Sequence, residues 1–402
     1  MPKGVGERHD EAKGWQMIDA LPEDVSQYFF AIYDHGTDNG LVLGTGNKQG
    51  SGYKTMWYES DVYPEGSKDA LWSFDAFNSG NYSGAKFDDT AEKKWLVITN
   101  VGYSDICLQS NDDPNTWNYR TENNGEGWTD RAYVSAVFQE DSHAPNGYWT
   151  LINNKGGGFI GHYEGTDEIS GNVSGEDVGH YDFYAILRGQ YVAAAENNDK
   201  ASEENPVDIS YVITNADGTR YNNFHARQPV GWVLSQDDAF EVEYANYLPG
   251  KVGDSYFNKW QSSGNLTDRS IMQQLTGLPN GKYRLSVRTS SSVIHQGASL
   301  IANSDKTDMT TVAGSGAVSV VTEVNDGKLS FGVELKNYQS NDCKFDHFTL
   351  EYLGNLTGIK ETGGIILNKE KAVYDLQGRK ITSHRLPKGI YIIDGKKVVV
   401  HE

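Results

Sequence analysis

The feature that most constrains the fold is one form that recurs three times in the first half of the chain. Three segments carry it: FFAIYDHGTDNGLVLGTG (29–46), WLVITNVGYSDICLQSN (95–111) and YWTLINNKGGGFIGHYE (148–164). Each holds an apolar strand, a polar turn with glycine and a second short strand. Strands of alternating apolar and polar residues follow at LWSFDAF (71–77), YVSAVFQ (133–139) and YDFYAIL (181–187). Period-two alternation between turn residues predicts β-strands, so we expect three similar β units.

Three four-stranded units of roughly 50 residues each predict a barrel whose hairpins close one end, which is a β-trefoil. In the form of its repeats, the segment 25–190 resembles β-trefoil lectin-like domains, and 1–24 is predicted to be an N-terminal extension. The Gln-x-Trp signature of ricin-type trefoils is absent, so that family's sugar-binding positions are not transferred. We predict that Ile32, Ile98 and Ile152 occupy matching core positions.

A different pattern of strands occupies 207–354. Its most specific pieces are L-x-G-L-P-x-G-x-Y-x-L (275–285) and F-D-x-F-x-L-x-Y (345–352). The Pro and Asn-Gly of the first piece favour a turn between two strands. These motifs resemble the galactose-binding-like jelly roll of carbohydrate-binding modules, near families 6, 22 and 35. The resemblance implies a two-sheet β-sandwich, and we expect Trp232 and Leu285 to be inside it.

Two further segments complete the organisation. Residues 191–206 include the small, acidic and polar run AAAENNDKASEENP and are predicted to be a linker. The tail, 355–402, contains Y-D-L-x-G-R, then L-P-x-G-I-Y, then Asp394-Gly395 before Lys396-Lys397 and an apolar strand. Asp-Gly between two apolar runs predicts a two-residue hairpin.

The ordered motifs of the tail resemble the C-terminal sorting domain of type IX secretion cargo, a small β-sandwich. This resemblance implies export across a Gram-negative outer membrane, to the medium or the cell surface, with the secretion machinery as partner and the tail as an address. The fold prediction is therefore all-β: a β-trefoil, a jelly-roll sandwich and a small C-terminal sandwich.

Charge and composition exclude several classes of partner. The net charge of −20 argues against nucleic acid and anionic membrane surfaces, whose affinity comes from Lys and Arg. No apolar run approaches the ~20 residues that span a bilayer. The two cysteines, Cys107 and Cys343, lie in different predicted domains, so we expect them to be buried and unpaired. A monomer is expected.

No catalytic motif stands out in the sequence. It has no G-x-S-x-G, no H-E-x-x-H, no cysteine pair at metal spacing and no phosphate-binding glycine motif. The chain has 55 Asp and Glu residues, so some pair will fall at the spacing of a glycosidase by chance. Carboxylate abundance therefore does not predict a glycosidase.

Aromatic residues in polar, glycine-rich loops are the candidates for binding, because sugar rings stack on aromatic faces while polar groups at the rim bind hydroxyls. The candidates in the first domain are Trp57, Tyr58, Trp117, Tyr119, Trp128 and Tyr163. Those in the sandwich are Tyr256, Trp260 and Tyr338, of which at least one is expected to be partly exposed. The alternative is that they are core residues, as we expect for Trp72, Trp95, Trp149 and Trp232.

The jelly-roll resemblance also implies a structural calcium ion and a ligand-binding asparagine. The Asp of F-D-x-F corresponds to Asp346, and the nearest acidic residue after the first strand is Asp217, although its position departs from the family pattern. Asn341 precedes the last strand, where such modules keep the asparagine. An ordinary polar turn is the alternative for Asn341.

These observations predict a secreted or surface-displayed, non-catalytic protein that binds a polysaccharide or other glycan. It could act beside a glycoside hydrolase or be the C-terminal part of one. Two alternatives stay open at this point: a surface adhesin or inhibitor that binds proteins, and an enzyme of unrecognised type.

Overall fold

The structure is a computed structural model. It describes residues 14–37, 39–43, 56–60, 68–77, 94–102, 106–110, 117–121, 133–140, 147–153, 159–161, 170–193, 198–222, 227–355, 360–363, 373–381, 389–393 and 396–401. The regular secondary structure of the described residues is almost entirely β, which confirms the predicted all-β class. None of their helices is long and apolar enough to cross a membrane.

The first domain contains thirteen strands. They are β1 (Gln16–Ile18), β2 (Tyr28–Asp34), β3 (Asn39–Leu43), β4 (Met56–Ser60), β5 (Trp72–Phe77), β6 (Lys94–Asn100), β7 (Ile106–Ser110), β8 (Trp117–Thr121), β9 (Tyr133–Gln139), β10 (Tyr148–Asn153), β11 (Phe159–Gly161), β12 (Ser170–Val173) and β13 (Tyr181–Leu187). Short 3₁₀ turns lie at Val25–Gln27, Lys68–Ala70 and Gly175–Asp177.

Six of these strands close into a barrel. Neighbours pair in the cycle β2–β5–β6–β9–β10–β13, and β13 returns to β2 over seven residue pairs. Six others form three hairpins, β3–β4, β7–β8 and β11–β12, one joined to each of β2, β6 and β10, and β1 pairs with β13. This is the threefold plan of a β-trefoil, and the repeat-ending segments predicted from the sequence are β5, β9 and β13.

One of the three predicted core positions is wrong by one residue. Ile32 and Ile98 are buried in the barrel core, where they pair with Phe183 and Phe74, but Ile152 is only half-buried. The third core position belongs to Leu151, which is 1% exposed. Since successive side chains of a strand point to opposite faces, a shift of one residue moves the prediction to the wrong side.

The second domain begins after one helix. That helix, α1 (Arg188–Ala193), is followed by 3₁₀ turns at Asn198–Lys200, Ser210–Val212 and Met309–Thr311, and by thirteen strands. They are β14 (Val207–Asp208), β15 (Tyr221–Asn222), β16 (Gln228–Pro229), β17 (Val233–Leu234), β18 (Glu241–Glu243), β19 (Tyr256–Trp260), β20 (Arg269–Thr276), β21 (Gly281–Ser290), β22 (Ala298–Ala302), β23 (Asp305–Asp308), β24 (Ser315–Val324), β25 (Lys328–Leu335) and β26 (Asp342–Tyr352).

Two antiparallel sheets face each other in this domain. One has the order β18-β19-β26-β21-β24, with β14 added beside β26, and the other is β17-β20-β25-β22-β23. Apolar side chains alternate inward along β21, whose buried residues include Leu285. Trp232 and Leu285 are both inside, as predicted, and Cys343 is buried and unpaired. The side chain of Cys107 lies outside the described residues.

The trefoil and the sandwich share one continuous hydrophobic core. Phe29 of the trefoil stacks on Tyr211 of the sandwich, with ring centroids 6.1 Å apart. A Cβ on Gly189 of α1 would lie 2.3 Å from the Thr276 carbonyl oxygen, so only glycine permits this approach. The helix occupies the start of the predicted linker, and its Tyr191 and Val192 side chains are buried. The two domains are therefore packed against each other.

A separate sheet forms the tail. Its strands are β27 (Lys360–Gly363), β28 (Val373–Tyr374), β29 (Lys380–Ile381), β30 (Gly389–Ile393) and β31 (Lys396–His401), in the order β27-β31-β30-β28-β29. In the described residues these strands pair only with each other. Ile393 lies opposite Lys396, the pairing expected of strands joined by two residues.

The Y-D-L-x-G-R motif has a clear structural reason. The Asp375 carboxylate accepts hydrogen bonds from the Gln377 and Arg379 backbone N–H groups and from Arg379 Nε. These bonds lower the pKa of Asp375, and the Arg379 backbone N–H has the largest effect. Gly378 has φ +79°, which favours glycine. Asp375, Gly378 and Arg379 of the motif therefore each contribute to the same tight turn.

Candidate functional site

Trp260 is a large aromatic side chain left in solvent at the end of a sandwich strand. It closes β19 and is 57% exposed, whereas Phe257 of the same strand is fully buried and stacks on Phe345 of β26. Because side chains alternate along a strand, Trp260 and Asn258 lie on the outer face of the sheet, opposite Phe257. The outer face at this end therefore presents an aromatic ring.

Polar side chains surround this ring in register. Trp260 is paired with Asp342, and Asn258 with Lys344 on one side and Glu241 on the other. Cross-strand partners share a face and have Cβ atoms about 4.5–5.5 Å apart. We call the residues Glu241, Asn258, Trp260, Asp342 and Lys344 the Trp260 face. It combines an aromatic surface with a carboxamide, two carboxylates and an ammonium group.

The polar groups of the Trp260 face are only partly satisfied within the protein. Lys344 Nζ contacts Asp342 Oδ1, and Asn258 Nδ2 donates to Glu241 Oε1 at 3.0 Å. Asn258 Oδ1 is buried and has no hydrogen-bond partner. An unpartnered buried acceptor is costly to the folded protein.

Asn341 holds the loop after Trp260. Its Nδ2 donates to the Gln261 carbonyl oxygen at 2.8 Å, and its own carbonyl oxygen accepts from the Gln261 N–H at 3.0 Å. Gln261 Nε2 in turn donates to the carbonyl oxygens of Ser263, Gly264 and Asn265. Asn341 thus lies next to the Trp260 face, but its Nδ2 is committed to fixing the loop.

Two predicted sugar-binding aromatics are core residues. Tyr256 is 0% and Tyr338 is 1% exposed, so neither can offer a ring face to a ligand. Tyr256 is covered by the loop before β19, where Leu248 packs on it together with Val293. The Tyr338 hydroxyl donates to the Asp342 carbonyl oxygen at 2.9 Å.

A second exposed aromatic lies on the loop that covers Tyr256. Tyr247 is 68% exposed, and it lies close to the Tyr256 hydroxyl. Burial raises the pKa of Tyr256, and the nearby Glu243 carboxylate raises it further. Tyr247 was missed in the sequence because its segment has no strand pattern. A ring in a loop that also contains Asn246, Gly250 and Gly253 was the available signal.

The trefoil candidates are placed differently from the prediction. Trp57 and Tyr58 lie in β4, opposite Val42 and Leu41, and Trp117 and Tyr119 lie in β8. They belong to hairpin strands and not to loops, and their side chains lie outside the described part of the structure. Trp128, Tyr163 and the side chain of Trp95 also lie outside the described residues. Trp72 and Trp149 are core residues, as predicted.

The two predicted metal ligands, Asp346 and Asp217, are close enough to interact electrostatically. Asp346 is fully buried, its Oδ2 accepts the Val252 N–H at 2.7 Å, and its Oδ1 has no partner. Burial raises the pKa of Asp346 to about 7, and the nearby Asp217 carboxylate contributes to the rise. The described residues contain no cluster of three or more His, Cys, Asp or Glu side chains suited to a metal.

A polar depression lies elsewhere on the same domain. It has a volume of about 460 Å³ beside β21 and β24. Its lining residues are Lys282, Ser304, Asp305, Val321, Thr322, Glu323 and Asn325. It contains no aromatic ring, so it lacks the stacking surface that the Trp260 face provides.

Comparisons with known proteins support no family assignment. No protein-family model and no curated protein matches the chain. Among solved structures, "BEL beta-trefoil apo crystal form 3" is 12% identical, covers 42% of this chain and 97% of that chain, and has a TM-score of 0.30.

Two other solved structures match different parts of the chain. TmCBM61 in complex with beta-1,4-galactotriose is 19% identical, covers 30% of this chain and 86% of that chain, and has a TM-score of 0.20. An SDF2-like protein from Arabidopsis thaliana is 8% identical over 39% and 92% of the two chains, with a TM-score of 0.28. With all three scores this low, the trefoil and sandwich folds rest on the strand pairing alone.

Proposed function

We propose that this protein binds a glycan through the Trp260 face and performs no catalysis there. The observation that carries the proposal is an exposed indole on a sheet, with buried and half-buried polar side chains on the same face. A pyranose ring stacks its C–H face on an aromatic ring, and its hydroxyls bind amide, carboxylate and ammonium groups at the rim. On the Trp260 face, the cross-strand pairs Asn258–Lys344 and Trp260–Asp342 together supply an aromatic ring, an amide, a carboxylate and an ammonium group.

The same arrangement disfavours catalysis at this face. Asp342 is paired with Lys344 and Glu241 with Asn258, so both carboxylates already have partners. A binding role needs only complementary polar groups, and these are present.

The experiment is a panel of neutral plant, microbial and animal polysaccharides tested with the full chain by affinity electrophoresis and calorimetry. Saturable binding to at least one glycan, without release of reducing ends, is expected. Release of reducing ends would indicate an enzyme. Binding to extracellular proteins with no glycan retained would indicate the adhesin or inhibitor alternative.

We further propose that Asp346 and Asp217 hold a structural calcium ion. The unpartnered, buried Oδ1 of Asp346 beside a second carboxylate fits a hard cation. Calcium also takes backbone carbonyl and water oxygens, so two carboxylates suffice for the protein's charged ligands. Asp346 also holds the Val252 N–H, so the ion would fix the loop that covers Tyr256.

Calcium is expected to raise the melting temperature more at pH 8 than at pH 5. Asp346 has its pKa raised from about 4 in the unfolded chain to about 7 in the folded one. Without calcium, stability therefore falls as pH rises from about 4 to about 7, because the folded state holds the proton more tightly. At pH 8 the carboxylate is ionised and free to bind the ion. Differential scanning calorimetry with calcium or EDTA measures this, and an equal response from Asp346→Asn would contradict it.

We also propose that the tail directs export, because its motifs resemble those of sorting domains and its sheet pairs with no other described strand. Deleting 356–402 is expected to abolish secretion and to leave the melting temperature of the remainder within about 2 °C, as for a separate domain. Asn355 is kept because its Oδ1 accepts from the Tyr352 hydroxyl at 2.7 Å. Immunoblots of medium and cells measure export. Unfolding of the truncated protein would show that the tail belongs to the sandwich.

A further inference from the structure

A histidine on the side of the trefoil barrel is held by a buried carboxylate. His35 Nδ1 lies 2.7 Å from Asp182 Oδ1, and the side chains are 26% and 3% exposed. The other carboxylate oxygen, Oδ2, accepts the Gly36 N–H at 3.4 Å. With Asp182 accepting the Nδ1 proton, the second ring nitrogen of His35, Nε2, is left with a lone pair that can bind a metal.

The other two repeats show that the trefoil does not need this pair. Phe183, Phe74 and Ala136 pair with the equivalent core residues Ile32, Ile98 and Leu151. The residues that precede Phe183, Phe74 and Ala136 in the sequence are therefore equivalent to each other. They are Asp182 in one repeat and Ser73 and Ser135 in the other two. The counterparts of His35 are Val101 and Asn154.

At this position, only one of the three repeats therefore has a buried carboxylate, Asp182, and only that repeat has a histidine, His35, beside it. We infer that folding of the trefoil does not explain this pair. Burying a charge is costly unless it is compensated. The other two repeats have an uncharged serine at the equivalent position and avoid that cost.

A second imidazole lies beside His35. The pairing of β2 with β13 continues one step beyond the strands, since the His35 N–H donates to the His180 carbonyl oxygen at 2.8 Å. Side chains of directly opposed residues have Cβ atoms about 4.5–5.5 Å apart. The Tyr148 ring contacts both, with its centroid 3.9 Å from that of His180 and 5.7 Å from that of His35. His180 is exposed.

We propose that His35 and His180 bind a divalent transition metal, for which Zn²⁺ is the probe, with Asp182 as the positioning residue. Imidazole suits zinc and its neighbours, and a metal-bound histidine usually donates its other N–H to a carboxylate that fixes ring and tautomer. The His35–Asp182 pair has this arrangement before any metal arrives.

The site is an open one. Both oxygens of Asp182 are engaged, so the carboxylate orients His35 and is not itself a ligand. The described ranges contain no third His, Cys, Asp or Glu side chain placed to complete a metal cluster. Water or an incoming ligand therefore fills the remaining positions, and moderate, exchangeable affinity follows. A role for His35 as a catalytic base is less well supported, since no hydroxyl or thiol of the described residues is bonded to its ring.

The test is calorimetric titration of the full chain with Zn²⁺, with four variants. His35→Ala and His180→Ala are each expected to abolish the saturable binding event. Asp182→Ser, which copies the residue of the other two repeats and should fold, is expected to weaken it by about 10–100-fold. The matched control is His295→Ala in the sandwich, which should leave the affinity unchanged. Circular dichroism melting confirms that each variant is folded.

Three results would overturn the proposal: no saturable Zn²⁺ binding by the unmodified protein, equal binding by the His35→Ala variant, or equal binding by the Asp182→Ser variant. In the second case the zinc lies at other residues. In the third, Asp182 has no positioning role. Failure of glycan binding at the Trp260 face would not affect any of these outcomes.

Discussion

Replacing Arg220 by Met is expected to lower the free energy of unfolding by about 3–5 kcal/mol, because it leaves a buried carboxylate without its partner. Arg220 reaches from the sandwich into the trefoil, where Nη1 lies 2.6 Å from Asp75 Oδ2 and 2.8 Å from Thr99 Oγ1. Both charged side chains are at most 3% exposed. This ion pair joins the two domains across 145 positions of the chain.

The network around the pair explains why its loss should be severe. The backbone of Arg220 is fixed by Asn215, whose Oδ1 accepts the Arg220 N–H and whose Nδ2 donates to its carbonyl oxygen. Burial raises the pKa of Asp75, while Arg220 and then Arg188 act in the opposite direction. Burial also lowers the pKa of Arg188 to about 9. Without Arg220, Asp75 would have to take up a proton or draw in water.

Chemical denaturation measures the effect, and a double variant is the control. Asp75→Leu together with Arg220→Met removes both charges and should be more stable than the Arg220→Met variant by at least about 2 kcal/mol, since replacing both members of a buried pair is often neutral. A loss below about 1 kcal/mol in the single variant would mean that the interface is hydrated and not closed as described.

Replacing Trp260 by Ala is expected to reduce glycan affinity at least tenfold, which is about 1.4 kcal/mol. The substitution removes the stacking surface of the site. It should leave the fold intact, because the indole is 57% exposed and is not part of the hydrophobic core. The free energy of unfolding should change by less than about 0.5 kcal/mol, as for other surface substitutions. Calorimetry with the best glycan of the panel measures the affinity.

Two variants control for this result. Trp260→Phe keeps an aromatic face and should retain most of the affinity, and Val233→Ala changes another residue that is 72% exposed and should have no effect. Unchanged affinity in Trp260→Ala would exclude this face as the binding site. Equal losses in Trp260→Ala and Trp260→Phe would mean that the ring makes a specific polar contact and not a stacking one.

The threefold strand arrangement of the trefoil could be predicted because each of its strands has a local sequence pattern. The three repeats and their closing strands appear as alternation between turn residues, and the barrel pairs them in that order. The third repeat shows the limit, since Leu151 and not Ile152 faces the core. Both residues are apolar, so composition does not identify the inward one, and only the pairing register does.

The Trp260 face could be predicted only in part, for a similar reason. Trp260 stands out as an aromatic residue at the end of a strand before a polar loop. Asn258 and Lys344 do not stand out in the sequence. They belong to the site only because β19 lies beside β26 with these two residues opposite each other. Tyr256 resembled a ligand-stacking residue, yet a loop that carries Leu248 covers it. A loop's position over a sheet is not encoded in any local pattern.

Contacts between domains were the least accessible to sequence reasoning. Asp75 and Arg220 each look like an ordinary charged surface residue, and nothing near either of them indicates the other. The polar run that predicted a linker is preceded by α1, whose buried residues Tyr191 and Val192 pack into the shared core. Short helices without a long apolar period give little signal.

The central claim is that a glycan binds at the Trp260 face, and a crystal structure with an oligosaccharide of the best-binding glycan tests it most directly. A pyranose ring stacked on the indole of Trp260, with its hydroxyls bound to polar groups of the Trp260 face, is the predicted result. A sugar bound at another surface of the sandwich or on the trefoil, with the Trp260 face in solvent, would contradict it.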